Sequence, residues 1–159
     1  MKFWKLLLAV SVLVPALAAG MAGQKIKVAP DRDSGNILTI LKASGNLPTK
    51  IETDGAGKST LVASRDRTHR AYVLCVPSGS AEVENCVSRV FFRDEKSKTV
   101  YEIRGEELFI EAGRPIDALK WNDAITLSYE RWASPHFGHR YVLNVKTLKQ
   151  TGAYILSDR

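Results

Sequence analysis

The chain has 159 residues, of which 45% are hydrophobic, and a formal net charge of +6. This length suits one domain with a hydrophobic core and is too short for two comfortable ones. Its 23 basic and 17 acidic residues are interspersed rather than gathered into a stripe, which argues against a nucleic-acid-binding protein. The sequence contains no cofactor-binding motif, so no cofactor is predicted.

The first twenty residues have the order of a signal peptide. Lys2 and Lys5 flank the start of an apolar run from Leu6 to Leu17, and small residues follow. We predict a signal peptide over residues 1–20, with cleavage at about residues 18–23. The apolar run is about a dozen residues long, whereas a spanning helix needs about twenty. We therefore expect a periplasmic or secreted protein without stable membrane insertion, whose charge falls to +4 when Lys2 and Lys5 are removed.

The remainder divides into a loop-rich N-terminal segment, residues 24–50, and a single all-β domain, residues 51–159. Within the first, residues 37–41 are apolar and predict a strand or a short helix. From residue 51, short β-prone runs alternate with turn residues about every ten positions, which is typical of an all-β fold. The predicted strands are 59–64, 71–76, 87–93, 99–104, 108–111, 124–131, 140–145 and 152–156. We expect a small antiparallel sandwich or a flattened barrel built from hairpins. Alternating apolar residues predict its core: Leu61, Tyr72, Leu74, Val90, Phe92, Val100, Ile103, Leu108, Ile110, Leu119, Trp121, Ile125, Leu127, Tyr141, Leu143, Tyr154 and Leu156.

Two predicted hairpins, residues 90–103 and 141–156, have nearly the same layout, and each follows a strand (60–64 and 125–129) and a polar loop. In the second copy, residues 116–129 place Trp121 before a polar turn and a strand. This run resembles a blade of WD40-like β-propellers. The resemblance implies blade-like repeats, but a propeller closes with at least about four blades and the chain has material for two or three.

The two cysteines, Cys75 and Cys86, lie beyond the predicted signal peptide. Because an oxidising compartment favours their pairing, we expect a disulfide. It would close the loop 76–85, which contains turn residues, and its predicted role is structural.

All three histidines lie in predicted loops that we expect at one end of the sheet. His69, His136 and His139 could bind a metal there, but these loops contain no cysteine and no metal site is predicted. The same loops are basic and partly aromatic, which is typical of a recognition surface. The candidate binding surface comprises Arg67, His69, Arg70, Arg131, Trp132, His136, Phe137, His139 and Arg140. Trp132 and Phe137 are the aromatic residues that we expect to be exposed in a polar loop.

No catalytic residues are predicted. The run Gly57-Lys58-Ser59-Thr60 ends like a phosphate-binding loop, but Glu52 stands where that motif needs its first glycine. A nucleophile elbow and a zinc-protease helix are also absent. The sequence favours an exported, non-catalytic binding or inhibitory module that contacts a protein or an envelope polymer. The alternatives are an assembly protein that self-associates through its sheet edges, and a small metal-binding protein or hydrolase.

Overall fold

Two antiparallel β-sheets form the part of the chain that the structure, a computed structural model, describes: residues 26–31, 37–77, 86–105 and 116–158. Helices are absent from these ranges. Sheet A consists of β1 (Ile26–Pro30), β7 (Ile116–Trp121), β8 (Thr126–Ser134), β9 (Phe137–Asn144) and β10 (Lys149–Asp158). Sheet B consists of β2 (Thr39–Lys42), β3 (Val62–Ala63), β4 (His69–Pro77), β5 (Cys86–Asp94) and β6 (Val100–Arg104).

The two sheets have the same strand order. Sheet A runs β1-β10-β9-β8-β7 and sheet B runs β2-β6-β5-β4-β3, so each is a four-stranded meander with an earlier strand beside its last one. Neither sheet closes into a barrel. The all-β sandwich is therefore confirmed, and the flattened barrel is not the architecture. The likeness to propeller blades also fails, because the sheets have five strands and share one core rather than surrounding an axis.

Alternation along the central strands builds that core. In β4, Ala71 and Val73 face sheet A, and Val90 and Phe92 do the same from β5. Successive side chains of a strand point to opposite faces, so each strand contributes every second residue. The buried members of this cluster are Ala71, Val73, Val90, Phe92, Ile103, Ile116, Leu127, Tyr129, Tyr141, Leu143, Val145 and Ala153.

Sheet B is also covered on part of its outer face. Leu74, Val76 and Phe91 form a second buried cluster, against which Leu47 and Ile51 pack from the segment between β2 and β3. The sequence of a strand that is buried on both faces is a nearly continuous run of apolar residues. This explains why β4 has so little polar alternation.

The two similar hairpins end in matching turns. In the β5–β6 turn, Asp94 Oδ1 accepts hydrogen bonds from the amides of Lys96 (2.8 Å) and Ser97 (3.0 Å). In the β9–β10 turn, Asn144 Oδ1 accepts the same two bonds, from residues 146 and 147, both at 3.0 Å. The fifth residue of each turn has a positive φ, 58° at Lys98 and 55° at Leu148. The similarity of the hairpins is therefore structural.

The predicted repeat is wrong upstream of the hairpins, because it matches strands that occupy different positions in the two sheets. Residues 60–64 contain β3, the first strand of its meander, whereas residues 125–129 lead into β8, the second strand of the other. The true counterpart of β3 is β7, which the strand prediction missed. The segment 24–50 also contributes β1 and β2, which pair with β10 and β6. The predicted signal peptide and the predicted strand 108–111 lie outside the described residues.

Candidate functional site

Turns from both sheets meet at one end of the sandwich, which we call the four-turn end: residues 64–68, 94–99, 122–125 and 144–148. The amide of Glu95 donates to the carbonyl of Thr68 at 2.9 Å, and the amide of Val145 donates to the carbonyl of Ile125 at 2.9 Å. These bonds join neighbouring turns within each sheet. The four-turn end is thus the place where loops of sheet A and sheet B lie side by side.

His69 and Trp121 connect the two sheets at this end. Their ring centroids are 5.5 Å apart with a tilt of 33°, and the indole Nε1 donates to the carbonyl of Val62 at 3.3 Å. Beside this contact lies a cleft of about 650 Å³, lined by Arg65, Asp66, Trp121, Asn122, Asp123 and Ala124. One wall comes from the β3–β4 turn and the other from the β7–β8 turn. An aromatic ring with convergent polar groups is the composition of a ligand-binding cleft.

The two carboxylates of the cleft are engaged by their own turns. Asp66 Oδ1 accepts hydrogen bonds from the Ser64 hydroxyl (2.7 Å) and the Thr68 amide (3.2 Å), and these bonds hold the pKa of Asp66 below its usual range. Asp123 Oδ1 accepts from the amides of Ile125 (2.8 Å) and Thr126 (2.7 Å), which lowers the pKa of Asp123 likewise. Both groups are ionised at neutral pH and are poor proton donors. Neither carboxylate is therefore suited to act as a general acid at neutral pH.

Three of the nine residues of the predicted binding surface lie at the four-turn end. Arg67 is exposed in the β3–β4 turn with a φ of 59°, and His69 and Arg70 begin β4. Arg70 Nε lies 3.1 Å from Glu95 Oε1 in the next turn. All three lie at this end, but the side chains of His69 and Arg70 point to opposite faces of sheet B.

The other six residues of the predicted surface lie elsewhere. β8 leads away from the four-turn end and is nine residues long, or about 30 Å at roughly 3.3 Å per residue. His136 and Phe137 therefore occupy the opposite end, at the β8–β9 turn, where Phe137 is 41% exposed. The expectation that the three histidines share one end is wrong. Within the described ranges, no group of three or more His, Cys, Asp or Glu side chains is placed to hold a metal.

Arg131 and His139 point into the sandwich rather than to its surface. They are cross-strand partners, and Arg131 is only 2% exposed. His139 Nε2 lies 3.3 Å from Asp31 Oδ2, and its ring is 6.0 Å from that of the buried Tyr141. Arg131 was predicted to lie on the binding surface. Alternation along β8 instead places its side chain on the same face as the buried Tyr129. Both residues are corrected to the interior.

Trp132 and Arg140 lie on the outer face of sheet A, in strands rather than in a loop. Glu130 lies between them and accepts hydrogen bonds from Trp132 Nε1 at 3.2 Å and Arg140 Nε at 3.0 Å. The indole covers Gly138, where a Cβ would come within 2.9 Å of the ring. Trp132 is half-buried, so the expectation of an exposed indole is wrong. The polar groups of Glu130, Trp132 and Arg140 are thus hydrogen-bonded to one another.

The predicted disulfide is described only in part. In the backbone register, Pro77 pairs with Cys86 and Cys75 pairs with Ser88, so the two cysteines lie on neighbouring strands of sheet B. The side chain of Cys86 lies outside the described residues. The disulfide remains a prediction.

The cleft residues Asp66, Trp121, Asn122 and Asp123 were not in the predicted surface. Trp121 was assigned to the core, and the aspartates read as ordinary turn residues. A local signal did exist, since Trp121 immediately precedes two Asx residues. What the sequence could not supply is the partner turn, more than fifty positions away.

Comparison with known proteins adds little. No protein-family model and no curated protein matches the chain. One solved structure, a candidate conserved lipoprotein from Clostridium novyi NT, aligns with 15% identity and a TM-score of 0.46, over 73% of this chain and 68% of that one. A likeness at this level carries no argument about function. In the described part of the chain, no helix is long and apolar enough to cross a membrane.

Proposed function

We propose that the chain is an exported, non-catalytic binding or inhibitory module that contacts a protein or an envelope polymer through the cleft at the four-turn end. The observation that carries this proposal is the cleft itself. It joins turns of both sheets around Trp121, with Arg65, Asn122 and Asp123 as polar neighbours. Trp and Arg are the residue types that dominate binding surfaces.

The state of the polar groups supports binding over catalysis. Asp66 and Asp123 are ionised and held by backbone and side-chain donors. Such preorganised groups select a partner without any change in their own protonation. Arg65 is exposed and supplies the cationic wall.

A charge-reversal comparison tests the site. The domain, purified as exported from cells, would be immobilised and exposed to solubilised envelope proteins and to isolated envelope polymers. Arg65→Glu changes the cleft, and Lys146→Glu makes the same charge change on an exposed turn of the same end, outside the cleft lining. We expect a partner that native protein and Lys146→Glu retain and that Arg65→Glu loses. Equal retention by all three forms, or retention by none, would overturn the proposal.

One observation favours assembly as a second candidate. β1 is an edge strand of sheet A, and its Ile26 and Val28 are each 48% exposed. Unpaired edges that carry apolar side chains are templates for pairing with another chain. Sedimentation over a range of concentrations tests this function: a dimer that Val28→Lys dissociates supports it, and a concentration-independent monomer excludes it.

A further inference from the structure

A second cluster of charges lies on the outer face of sheet B, apart from the cleft. Arg70 in β4 and Arg93 in β5 are directly opposite each other in the antiparallel register. Like charges in this arrangement destabilise a sheet unless a group of opposite charge lies between them. The pair therefore needs a compensating negative group.

The nearby carboxylate is already occupied. Glu95 Oε1 lies 3.1 Å from Arg70 Nε, and Glu95 Oε2 lies 3.1 Å from Lys98 Nζ. Both bonds favour the ionised form, and the pKa of Glu95 is held below its usual range, chiefly by the hydrogen bond from Lys98. The second carboxylate on this face, Glu102, is bound by Arg89 (2.6 Å) and Arg104 (2.7 Å).

In the described part of the chain, Arg93 makes no direct ion pair with a carboxylate, although its charge acts on Glu95. Its Nε is buried and has no hydrogen-bond partner among the described residues. Among the described residues of this outer face, three cations, Arg70, Arg93 and Lys98, thus share the negative charge of Glu95, which leaves a local excess of two positive charges. The Arg70 side chain is 57% exposed, so a ligand can reach the pair from solvent.

We propose that Arg70 and Arg93 form a binding site for a phosphate group, separate from the cleft and independent of its function. A phosphate carries a charge of about −1.5 to −2 at neutral pH, which matches the local excess. Its oxygens can accept from two guanidinium forks at once, whereas a carboxylate has only two oxygens to share. Beside the pair on the same face lies Tyr72, whose pKa is raised by burial, so its hydroxyl stays protonated and can donate.

Two sources could supply this group: inorganic phosphate in solution or the headgroup of an anionic lipid. The first probe is inorganic phosphate, followed by amide chemical shifts and calorimetry at constant ionic strength, with acetate as the carboxylate comparison. The second is vesicles of phosphatidylcholine with and without phosphatidic acid. Phosphate binding without vesicle binding assigns a soluble ligand. Arg93-dependent binding of phosphatidic acid vesicles assigns a lipid headgroup.

Variants decide whether the site is the paired arginines. We expect Arg93→Gln and Arg70→Gln each to weaken phosphate binding by about tenfold or more, which is about 1.4 kcal/mol. Arg93→Lys keeps the charge but loses the planar fork, so it should fall between these and the native protein. Arg104→Gln removes the same charge from the same face and should bind within about twofold of native. Circular dichroism of every variant verifies the fold. Equal weakening in all variants, or no phosphate binding by the folded native protein, would overturn the proposal.

Discussion

The His69 ring in sheet B lies 5.5 Å from the Trp121 ring in sheet A, and the two residues are separated by 52 positions along the chain. Their contact holds the β3–β4 turn beside the β7–β8 turn. The cleft lies between these two turns, with Trp121 in its lining.

Trp121 should therefore contribute to stability as well as to the cleft. We expect Trp121→Ala to lower the free energy of unfolding by about 2–3 kcal/mol, less than for a fully buried tryptophan. Trp121→Phe keeps a ring but loses the hydrogen bond to Val62, at a cost of about 1 kcal/mol. Urea unfolding measures both. Phe137→Ala, at the exposed β8–β9 turn, is the control and should change stability by less than about 0.5 kcal/mol. Equal effects at the two positions would contradict the role of Trp121.

Alanine substitutions of Arg131 and Arg140 should lower the free energy of unfolding by very different amounts, although both residues are arginines of sheet A. Arg131 is 2% exposed inside the sandwich and interacts with other groups there, so Arg131→Ala leaves a cavity and an unpaired buried partner and should cost about 3 kcal/mol or more. Arg131→Met restores most of the volume and should cost less. The Arg140 side chain is 30% exposed beside Glu130, and Arg140→Ala should cost about 1 kcal/mol. Urea midpoints that are equal for the two alanine variants would show that Arg131 is not buried.

The matching turns predict a specific pH dependence. The pKa of Asp94 lies below its ordinary value of 3.8, because the amides of Ser97 and Lys96 donate to the carboxylate. A depressed folded-state pKa stabilises the fold above the unfolded pKa, and this stability is lost as the pH falls through the folded value. Asp94→Asn keeps the acceptor, as Asn144 shows in the other hairpin, but does not titrate.

We therefore expect Asp94→Asn to match the native protein near neutral pH. Between about pH 5 and about pH 2 its urea midpoint should fall less steeply than that of the native protein. Asp66, Glu95, Glu102 and Asp123 also have lowered pKa values, so the native protein should lose stability throughout this range. Identical slopes for the two proteins would show that the Asp94 turn does not contribute.

The positive φ of Lys98, 58°, predicts opposite effects for two substitutions. Lys98→Gly relieves the left-handed strain and should stabilise the fold by about 0.5–1 kcal/mol, net of the entropy that glycine adds to the unfolded chain. Lys98→Val should destabilise it by about 1–2 kcal/mol, since a β-branched residue fits this region poorly. Thermal unfolding of the two variants measures whether each substitution raises or lowers the stability. Lys96→Gly, in the same turn without a positive φ, should be mildly destabilising, and stabilisation there would remove the argument from backbone strain.

The sequence by itself determined the strand content and the identity of about half of the core residues. Val90, Phe92, Leu127 and Leu143 were expected in the core and are all buried. The physical reason is local: the period of two assigns each side chain to a face as soon as a strand is recognised. The same reasoning failed at Leu61 and Ile125, which are 43% and 36% exposed. Both residues lie just outside a paired strand, where side chains no longer alternate between a buried and an exposed face.

Only the tertiary structure decided which loops share an end of the molecule. His69 and His139 both follow polar loops in the sequence, yet one meets Trp121 at the four-turn end and the other faces Asp31 inside the sandwich. Such contacts depend on the packing of one sheet against the other, and no local pattern encodes the pairing of turns fifty residues apart. The position of a binding cleft between two sheets is therefore a property of their packing, while the strands that build it are a property of the sequence.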